Sequence, residues 1–294
     1  MESIPYDKRS GKIWFDGKSV NWSDVKIHVL SHGLHYASCV FEGERVYDGE
    51  IFKLEEHTER LFHSASRLGF KILYSQELLN EACKDIVAIQ KVKNGYVRPV
   101  AWRGSEMMAI SAQKTKIHVA IAAWDWGSYF DPSLKIKGIK LNVSKWKRPA
   151  PDTAPYEAKA SGPYIICTLS KEFAENKGYH DALMLDYRGY VAEGTGANIF
   201  FIKDNNIHTP IPDCFLNGIT RQTVIEMATN QGFEITEKHL MPDEIGNYDE
   251  AFLTGTAAEI TPIKSIDDFK YNTGDNTTTF KFMNDFSDMV KNAS

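Results

Sequence analysis

A lysine between two alanines, Lys159, is the first residue whose surroundings suggest chemistry. It lies in the segment AKASG at residues 158–162. Small neighbours allow a lysine to lie close to the backbone of an adjacent strand or to a bound cofactor. Most lysines, however, are solvated surface residues. The pentapeptide alone favours a surface lysine, so a catalytic role needs support from elsewhere in the chain.

A glutamate among small residues, Glu193, is the second such feature. It lies in the segment VAEGTGAN at residues 191–198, which leads into the apolar residues 199–202. The two glycines let the backbone pass close to a ligand or form a simple turn. A glutamate packed into such a segment is more often held against a cationic partner than left in solvent. We therefore consider Glu193 a candidate for contact with a cationic group.

Two loops have the composition of phosphate-binding segments. Residues 217–221 (NGITR) precede a predicted helix, whose free N–H groups and positive dipole end suit a phosphate. Thr220 could equally be an ordinary N-cap, and capping is compatible with phosphate binding. Residues 253–262 (LTGTAAEITP) follow an apolar strand with small residues and hydroxyls, although a simple strand-to-loop junction explains them too. Neither loop has the Walker or Rossmann glycine pattern, so nucleotide binding is not favoured.

Together these features match the requirements of pyridoxal 5'-phosphate. A lysine can form an imine, a carboxylate can hold the ring nitrogen, and two loops can bind the phosphate. An opposite charge within a few ångströms favours the protonated ring nitrogen that an electron sink needs. Burial and the nearby cationic ring would help Lys159 to lose its proton and act as a base.

The predicted secondary structure mixes short strands with helices in both halves of the chain. In the first half we predict hairpins over 13–20 and 39–54, helices over 55–68 and 76–92, and strands over 96–102 and 117–124. In the second half we predict strands over 139–146, 182–186, 198–202, 234–240 and 250–253, helices over 163–177 and 220–231, and a loosely attached helix from Asp275.

These elements predict an α/β (α+β) protein of two domains. Residues 1–125 would form a small N-terminal α/β domain. Residues 126–138 would form an interdomain loop, because this stretch contains glycine and Asp-Pro and shows no clear period. Residues 139–294 would form a larger C-terminal domain that contains Glu193 and both phosphate-binding loops.

Composition excludes several function classes. The net charge of −5 provides no basic excess for binding nucleic acid or an acidic membrane. No stretch approaches the roughly eighteen apolar residues of a membrane helix, and Met1–Gly11 lacks the apolar core of a signal peptide. The four cysteines lie far apart in unrelated contexts. We therefore expect reduced thiols in a cytoplasmic protein.

Two other kinds of protein are less compatible with the sequence. The spacing of His28, His32 and His35 could place metal ligands on a helix face, but no carboxylate completes the set and Gly33 interrupts it. We therefore expect no metal site. A catalytically silent small-molecule binding protein would need no lysine and carboxylate pair, and this sequence offers both.

Eight blocks of sequence then point to a known family. In chain order they are SHGLHY (31–36), VFEG (40–43), HTERL (57–61), YVRP (96–99), AKA (158–160), EGTGAN (193–198), GITR (218–221) and GTAAEITP (255–262). With these blocks the chain resembles the branched-chain amino acid aminotransferases, which are fold-type IV pyridoxal-phosphate enzymes, over nearly its whole length. The resemblance implies a larger C-terminal domain around a pseudo-barrel, and a homodimer or a larger assembly of dimers.

The resemblance also implies a role for each matching residue. Lys159 would form the internal aldimine and move the proton between Cα and the cofactor. The other cofactor contacts would be Glu193 to the ring nitrogen, Tyr164 to the ring hydroxyl, and Arg60, Ile219, Thr220 and Thr256 to the phosphate. The substrate contacts would be Tyr36, Phe41, Tyr96, Met107, Trp126 and Tyr129 around an apolar pocket, Ala257 and Ala258 at the α-carboxylate, and Arg98 at the distal carboxylate of 2-oxoglutarate.

The implied reaction is transamination of leucine, isoleucine and valine with 2-oxoglutarate, which yields branched-chain 2-oxo acids and L-glutamate. The alternatives are a D-amino acid aminotransferase or a 4-amino-4-deoxychorismate lyase of the same fold type. Residues 96–99 and 255–262 favour the branched-chain class. Two places depart from the family pattern: Glu44 replaces the apolar residue of bacterial members, and residues 102–108 replace a glycine-rich segment.

Overall fold

The computed structural model describes residues 4–292 and separates them into two compact units. The first unit comprises the chain up to Gly127 together with Ala158–Gly162. The second comprises Ser128–Glu157 and Pro163–Asn292. The short segment that contains Lys159 therefore packs with the N-terminal unit, although it lies far along the chain.

The first unit is built on a seven-stranded antiparallel sheet in the order β2-β1-β7-β6-β4-β5, with β3 also pairing with β6. Its elements are β1 (Lys12–Phe15), β2 (Lys18–Asn21), α1 (His32–Tyr36), β3 (Cys39–Phe41), β4 (Glu44–Tyr47), β5 (Glu50–Ile51), α2 (Leu54–Arg67), α3 (Gln76–Gln90), β6 (Gly95–Arg103) and β7 (Ile117–Asp125), with 3-10 turns at Tyr6–Lys8 and Trp22–Asp24.

Local sequence explains the turns of this sheet. Both predicted hairpins are confirmed, and each turns at an Asp-Gly pair with positive φ at both residues: Asp16 and Gly17, then Asp48 and Gly49. The second hairpin was predicted as one strand over residues 39–47, and this is wrong. The chain leaves the sheet at Gly43, where an added Cβ would lie 1.9 Å from the Tyr96 hydroxyl.

The helices of the first unit follow their apolar periods. Leu61 and Ala65 lie on the buried face of α2, as the stripe predicted. In α3 the Ser75 side chain accepts a hydrogen bond from the Leu78 N–H and caps the N-terminus. The helix ends at Gln90 because Lys91 is left-handed, rather than continuing to residue 92 as predicted.

The second unit is built on a nine-stranded sheet with helices around it. Its elements are α4 (Leu134–Lys137), β8 (Ile139–Arg148), α5 (Tyr164–Asn176), β9 (Asp181–Asp186), β10 (Val191–Gly194), β11 (Asn198–Lys203), β12 (Asn206–Thr209), α6 (Ile219–Asn230), β13 (Glu234–Glu237), β14 (Glu250–Gly255), β15 (Glu259–Ile266), β16 (Phe269–Lys270) and α7 (Thr278–Asn292), with a 3-10 turn at Glu244–Asn247.

Six of these strands close into a barrel. They follow the order β10-β9-β8-β15-β14-β11, and β10 also pairs with β11. Strand β8 is parallel to both β9 and β15, and the other neighbouring pairs of the ring are antiparallel. Ile139, Ile199, Leu253 and Ile263 belong to one fully buried core. This arrangement confirms the predicted α/β fold with a pseudo-barrel in the C-terminal part.

Two predictions for the second unit were wrong. Helix α7 is not loosely attached, because Phe282, Phe286 and Val290 are buried along one face in an otherwise polar segment. The strand predicted over 234–240 ends at Glu237. Strands β10, β12, β15 and β16 were not predicted. In β15 a proline and a register shift between Ile263 and Ser265 disturb the apolar alternation that marks a strand.

The cysteines and the helices bear on the expectations from composition. All four cysteines are unpaired, and only Cys39 is not fully buried. Across residues 4–292, no helix combines the length and the apolar character needed to cross a membrane.

Candidate active site

In the first unit the lysine segment lies along β3. The Phe41 N–H donates to the Lys159 carbonyl oxygen at 3.0 Å, and the Ser161 N–H donates to the Cys39 carbonyl oxygen at 3.0 Å. The Lys159 N–H donates to the Ser64 Oγ of α2 at 2.9 Å. Both polar backbone groups of Lys159 are therefore bonded, which fixes the point from which its side chain leaves the chain.

Aromatic rings and an arginine surround the lysine side chain. The Lys159 Nζ lies 5.1 Å from the centroid of the Phe41 ring. The guanidinium carbon of Arg98 lies 4.8 Å from the same ring and 5.5 Å from the Tyr96 ring. The Trp126 ring lies 4.7 Å from that of Tyr96. The structure thus brings together five of the residues that were predicted to contact cofactor or substrate.

Arg60 is held by a carboxylate that was assigned no role in the sequence. Its Nε donates to Glu42 Oε1 at 2.6 Å and its Nη2 donates to Oε2 at 2.8 Å. His57 donates from Nδ1 to Oε2 at 2.7 Å, since a carboxylate can only accept. Burial alone would raise the pKa of Glu42, but Arg60 and His57 outweigh it and hold this pKa well below its usual range. Burial lowers the pKa of His57, which favours its neutral form.

Glu44, two residues further along, has the opposite environment. Its side chain is fully buried, and neither of its oxygens has a hydrogen-bond partner within residues 4–292. Burial, followed by the charge of Glu42, raises the pKa of Glu44 well above its ordinary value. Its environment therefore favours the neutral form of Glu44.

The three histidines of residues 28–35 serve local structure. His32 is buried, with Nδ1 2.9 Å from the Ser38 Oγ and Nε2 2.9 Å from the Ala109 carbonyl oxygen. The ring of Tyr36 packs 4.6 Å from that of His32. Met107 is half-buried in the segment that precedes Ala109. His32 thus contacts both the ring of the candidate substrate residue Tyr36 and the segment that contains Met107.

In the second unit Glu193 is the penultimate residue of strand β10 and pairs with Asn198 of β11. Its Oε1 lies 3.2 Å from the Nε of Arg148, and its Oε2 accepts a hydrogen bond from the Asn198 Nδ2 at 3.3 Å. Burial would lower the pKa of Arg148, but the Glu193 carboxylate raises it. Tyr164, the first residue of α5, lies within electrostatic range of Arg148. Arg148 and Asn198 were not predicted as site residues.

Two hairpin turns meet at the same end of the barrel. Residues 195–197 join β10 to β11, and residues 256–258, which include Thr256, Ala257 and Ala258, join β14 to β15. A Cβ added at Gly255 would lie 3.3 Å from the Ala197 Cβ and 3.4 Å from the carbonyl oxygen of residue 196. The two turns therefore touch, which is the close backbone approach that the small residues predicted.

The start of α6 lies against the same hairpin. The Gly218 N–H donates to the Asn198 Oδ1 at 3.1 Å. The helix begins at Ile219, with Gly218 as the N-cap residue, so the suggestion that Thr220 is the cap is wrong. The N–H groups of Ile219 and Thr220 belong to the first turn, where no carbonyl of the helix can accept them. These N–H groups can therefore bind an anion.

A buried arginine anchors the loop before α6. Arg221 donates to the Asn217 Oδ1 at 2.9 Å and to the Pro210 carbonyl oxygen at 3.1 Å, and it pairs with Glu237 of β13. Its side chain is almost completely buried. Arg221 thus fixes the loop that presents the first turn of α6.

Tyr129 lines an open pocket of about 540 Å³ in the second unit. Its ring lies 4.8 Å from that of Phe130 and 5.5 Å from the Lys171 Nζ. Tyr129 is exposed, and the pocket also includes Asp131 and His180. This is where the structure places the last of the predicted substrate residues.

One cluster has the composition of a metal site. The ligand atoms of Asp186, Asp213 and Cys214 lie within 4.8 Å of one another. However, the Arg188 guanidinium donates to both carboxylates at 2.8–2.9 Å. The positive charge of Arg188 thus already balances the carboxylates of Asp186 and Asp213.

Comparison with known proteins gives a consistent result. The family model described as amino-transferase class IV matches residues 39–266. A branched-chain-amino-acid aminotransferase of Pseudomonas aeruginosa is 45% identical over 270 residues, which cover 90% of this chain and 88% of the relative. The Escherichia coli enzyme of the same name is 39% identical over 273 residues, with 91% and 88% covered.

Solved structures agree with these relatives. The Escherichia coli branched-chain amino acid aminotransferase superposes with a TM-score of 0.92 at 36% identity and covers 97% of this chain and 96% of its own. The enzyme of the same name from Thermobaculum terrenum, solved in its PLP-form, gives a TM-score of 0.88 at 27% identity and covers 97% of this chain and 95% of its own.

Proposed function

Because this chain belongs to the amino-transferase class IV family, we propose that it transfers amino groups between branched-chain L-amino acids and 2-oxoglutarate. The products are branched-chain 2-oxo acids and L-glutamate. The observation that carries the proposal is the end of the barrel, where a buried glutamate, the start of α6 and two touching hairpin turns meet. Relatives named branched-chain-amino-acid aminotransferase, at 39–45% identity, support the choice of substrate.

The residues at the end of the barrel fit pyridoxal 5'-phosphate. Gly218 and Gly255 lie where a Cβ would meet Asn198 and Ala197, so the loops that contain them pack closely against the β10–β11 hairpin. Glu193 provides a buried carboxylate for a cationic ring nitrogen, and the first turn of α6 provides N–H groups for a phosphate. When bound, this cofactor supplies an electron sink and a carbonyl carbon that accepts the amino group.

We assign the cofactor contacts as follows. Lys159 holds the cofactor covalently through Nζ and, once released, moves the proton at the substrate Cα. Glu193 pairs with the ring nitrogen and keeps its proton in place. The remaining contacts are Tyr164 to the ring hydroxyl and Arg60, Ile219, Thr220 and Thr256 to the phosphate. Glu42 supports this role for Arg60, because it fixes the guanidinium by two hydrogen bonds.

We assign the substrate contacts from the aromatic cluster of the first unit. Phe41, Tyr96 and Trp126 provide apolar surface, which favours a branched aliphatic side chain by about 0.8 kcal/mol per buried methylene. Arg98 packs against two of these rings and pairs with the distal carboxylate of 2-oxoglutarate. Tyr36, Met107, Tyr129, Ala257 and Ala258 complete the proposed set.

The central experiment tests the cofactor and the class of substrate together. Purified protein supplied with pyridoxal 5'-phosphate should have a visible absorbance band. Borohydride should abolish this band and fix the cofactor permanently on Lys159. Peptide mapping should then find the modified residue at Lys159. A panel of single L- and D-amino acids should then bleach the band only with L-leucine, L-isoleucine, L-valine and L-glutamate. A protein that stays colourless would refute the proposal, and bleaching by D-amino acids would favour a D-amino acid aminotransferase.

Arg98→Ala tests how one pocket accepts both substrates. The substitution should lower kcat/KM for 2-oxoglutarate about 10- to 100-fold and change that for leucine about threefold or less, because only the dicarboxylate needs a cation. Arg103→Ala is a matched control, since Arg103 lies on the same strand and its guanidinium also packs on a ring, that of Phe70. Equal losses for both substrates in Arg98→Ala would remove the assigned role.

We also propose that the protein is a homodimer, or an assembly of dimers, in the cytoplasm. Ile27, Val29, Leu34 and Ile110 of the first unit expose between 51% and 83% of their surface, and burial of such apolar side chains favours association. Four unpaired cysteines support a reducing compartment. A monomer by light scattering at micromolar concentration would refute the assembly.

A further inference from the structure

We propose that Asn198 is a positioning residue that holds the Glu193 carboxylate and the first turn of α6 in a fixed relation to each other. This inference deepens the proposed function and rests on it, since these two groups are the proposed partners of the ring nitrogen and the phosphate. Asn198 itself is not proposed to touch the substrate or the reacting atoms.

The side chain of Asn198 makes three hydrogen bonds to two different parts of the second unit. Its Nδ2 donates to the Glu193 Oε2 at 3.3 Å and to the Leu216 carbonyl oxygen at 3.0 Å. Its Oδ1 accepts from the Gly218 N–H at 3.1 Å. Asn198 is 5% exposed and lies at the first position of β11, so the barrel fixes its backbone. One amide therefore bridges the hairpin that carries Glu193 and the loop that begins α6.

Only an amide satisfies all three neighbours. A carboxylate and a carbonyl oxygen accept hydrogen bonds, whereas the Gly218 N–H donates one. The group between them must therefore donate on one side and accept on the other. An aspartate would have nearly the same size, but at neutral pH it would place a second negative charge beside Glu193. The orientation of the amide follows from its partners.

Two other contacts show that the bridge is tightly built. A Cβ at Gly218 would lie 2.4 Å from the Asn198 Oδ1, so this position has no room for a side chain. On its far side the Glu193 carboxylate faces Arg148 at 3.2 Å. Each oxygen of the Glu193 carboxylate thus has a contact, and the one with Asn198 continues to the Gly218 N–H at the start of α6.

The bridge gives the site its spacing before any ligand binds. A cofactor with a ring at one end and a phosphate at the other binds best when its two partners already stand at the right separation. Asn198 is the side chain that links these two partners directly. Loss of its amide should therefore weaken binding at both ends, although it contacts neither end of the ligand.

The experiment compares Asn198→Ala and Asn198→Asp with a matched control, Asn142→Ala. Asn142 is also 5% exposed in a barrel strand of the second unit, and its Nδ2 bonds to the Val143 carbonyl oxygen. Three probes are titrated into protein freed of cofactor: pyridoxal 5'-phosphate, pyridoxal without the phosphate, and inorganic phosphate alone. Thermal unfolding of each variant without ligand measures the purely structural cost.

We expect Asn198→Ala to weaken both pyridoxal and inorganic phosphate binding about tenfold, the size of one lost hydrogen bond to a charged or oriented group. Asn198→Asp should lose more than this at neutral pH and recover as the pH falls, because protonation restores a donor. The pH midpoint of the visible band should move in both variants, since it reports on the protonation of the imine, which responds to the charge at the ring nitrogen. Asn142→Ala should unfold earlier but bind all three probes as the wild type does.

Several results would overturn the inference. Loss at only one end would show that Asn198 does not link the two groups. Equal behaviour of the Asn198 and Asn142 variants would show a structural role alone. If the wild type binds inorganic phosphate but neither pyridoxal compound, the proposed function fails instead, and the phosphate titrations still decide whether Asn198 shapes the first turn of α6.

Discussion

Both units bury a glutamate beside an arginine, but they hold it differently. In the first unit Glu42 is completely buried and receives two hydrogen bonds from Arg60, at 2.6 and 2.8 Å, and a third from His57. In the second unit Glu193 keeps 8% of its surface exposed, and its contacts with Arg148 and Asn198 are longer, at 3.2 and 3.3 Å.

This difference separates two uses of a buried charge. The short hydrogen bonds from Arg60 and His57 to both oxygens of Glu42 suit a carboxylate that fixes another side chain. Longer contacts and residual exposure suit Glu193 as a carboxylate that still meets a ligand. Glu44 marks the opposite limit, because it is buried without a hydrogen-bond partner within residues 4–292 and its raised pKa favours the neutral form. Burial by itself therefore does not identify a functional carboxylate.

The largest effect is expected from Glu42→Ala. The substitution leaves the Arg60 guanidinium without its forked partner, and breaking a buried ion pair in this way costs about 3 kcal/mol of unfolding free energy. Urea denaturation measures the loss. Glu59→Ala, an exposed carboxylate of the same helix as Arg60, is the control and should change stability little. A loss of unfolding free energy below about 1 kcal/mol would show that Glu42 does not have the structural role that distinguishes it from Glu193.

Glu193→Gln should have the converse effect. It keeps the shape of the side chain and removes its charge, so kcat/KM should fall about 10²- to 10³-fold, as for other groups that stabilise charge at a reacting centre. Urea denaturation should show a smaller stability loss than in Glu42→Ala. The contrast between Glu42 and Glu193 is contradicted if Glu193→Gln loses more stability than Glu42→Ala, or if Glu193→Gln keeps its activity.

Glu44→Leu tests whether burial raises the pKa of Glu44. Because the folded-state pKa of Glu44 is raised above its ordinary value of 4.5, its stabilising contribution is complete below that pH and is lost as the pH rises through the folded-state pKa. At pH 8 the variant should therefore be more stable than the wild type by about 1–3 kcal/mol. Unfolding from about pH 4 to 9 measures this gap. A gap that does not grow with pH would contradict the assignment.

The smallest effect is expected at an exposed ion pair. Lys203 and Asp249 lie 3.0 Å apart with about half of each side chain exposed. Lys203→Ala should change the unfolding free energy by less than about 0.5 kcal/mol at moderate salt. A loss as large as that of Glu42→Ala would mean that charge pairing matters regardless of burial, and the contrast between the two kinds of pair would disappear.

Local features of the fold could be predicted because they depend on neighbours in sequence. The hairpin turns at Asp16 and Asp48 follow from Asp-Gly chemistry, and α2 follows from its apolar stripe. Strand β15 escaped prediction because a proline and a register shift disturb its alternation. The packing of helix α7 was predicted wrongly because three apolar side chains spread over two turns give a weak amphipathic pattern in a polar segment.

The candidate site divides in the same way. The sequence singled out Lys159 and Glu193 from their small neighbours, and family resemblance supplied the roles of the other residues, which remain proposals. Glu42, Arg148 and Asn198 were overlooked as partners. Glu42 meets Arg60 across 18 residues of chain, and Arg148 meets Glu193 across a sheet, so nothing in the local sequence marks either pair.

The sequence by itself determined which reactive side chains are present and the local structure around each of them. These are a lysine among alanines, a glutamate before a hairpin turn, and a glycine before a helix. Tertiary structure alone decided which charges face each other. The β10–β11 hairpin pairs Asn198 with Glu193, but only the closed barrel brings Arg148 of β8 to Glu193 and the loop before α6 to Asn198. Side chains distant in sequence become partners only when the strand order is set, and the whole buried core determines that order.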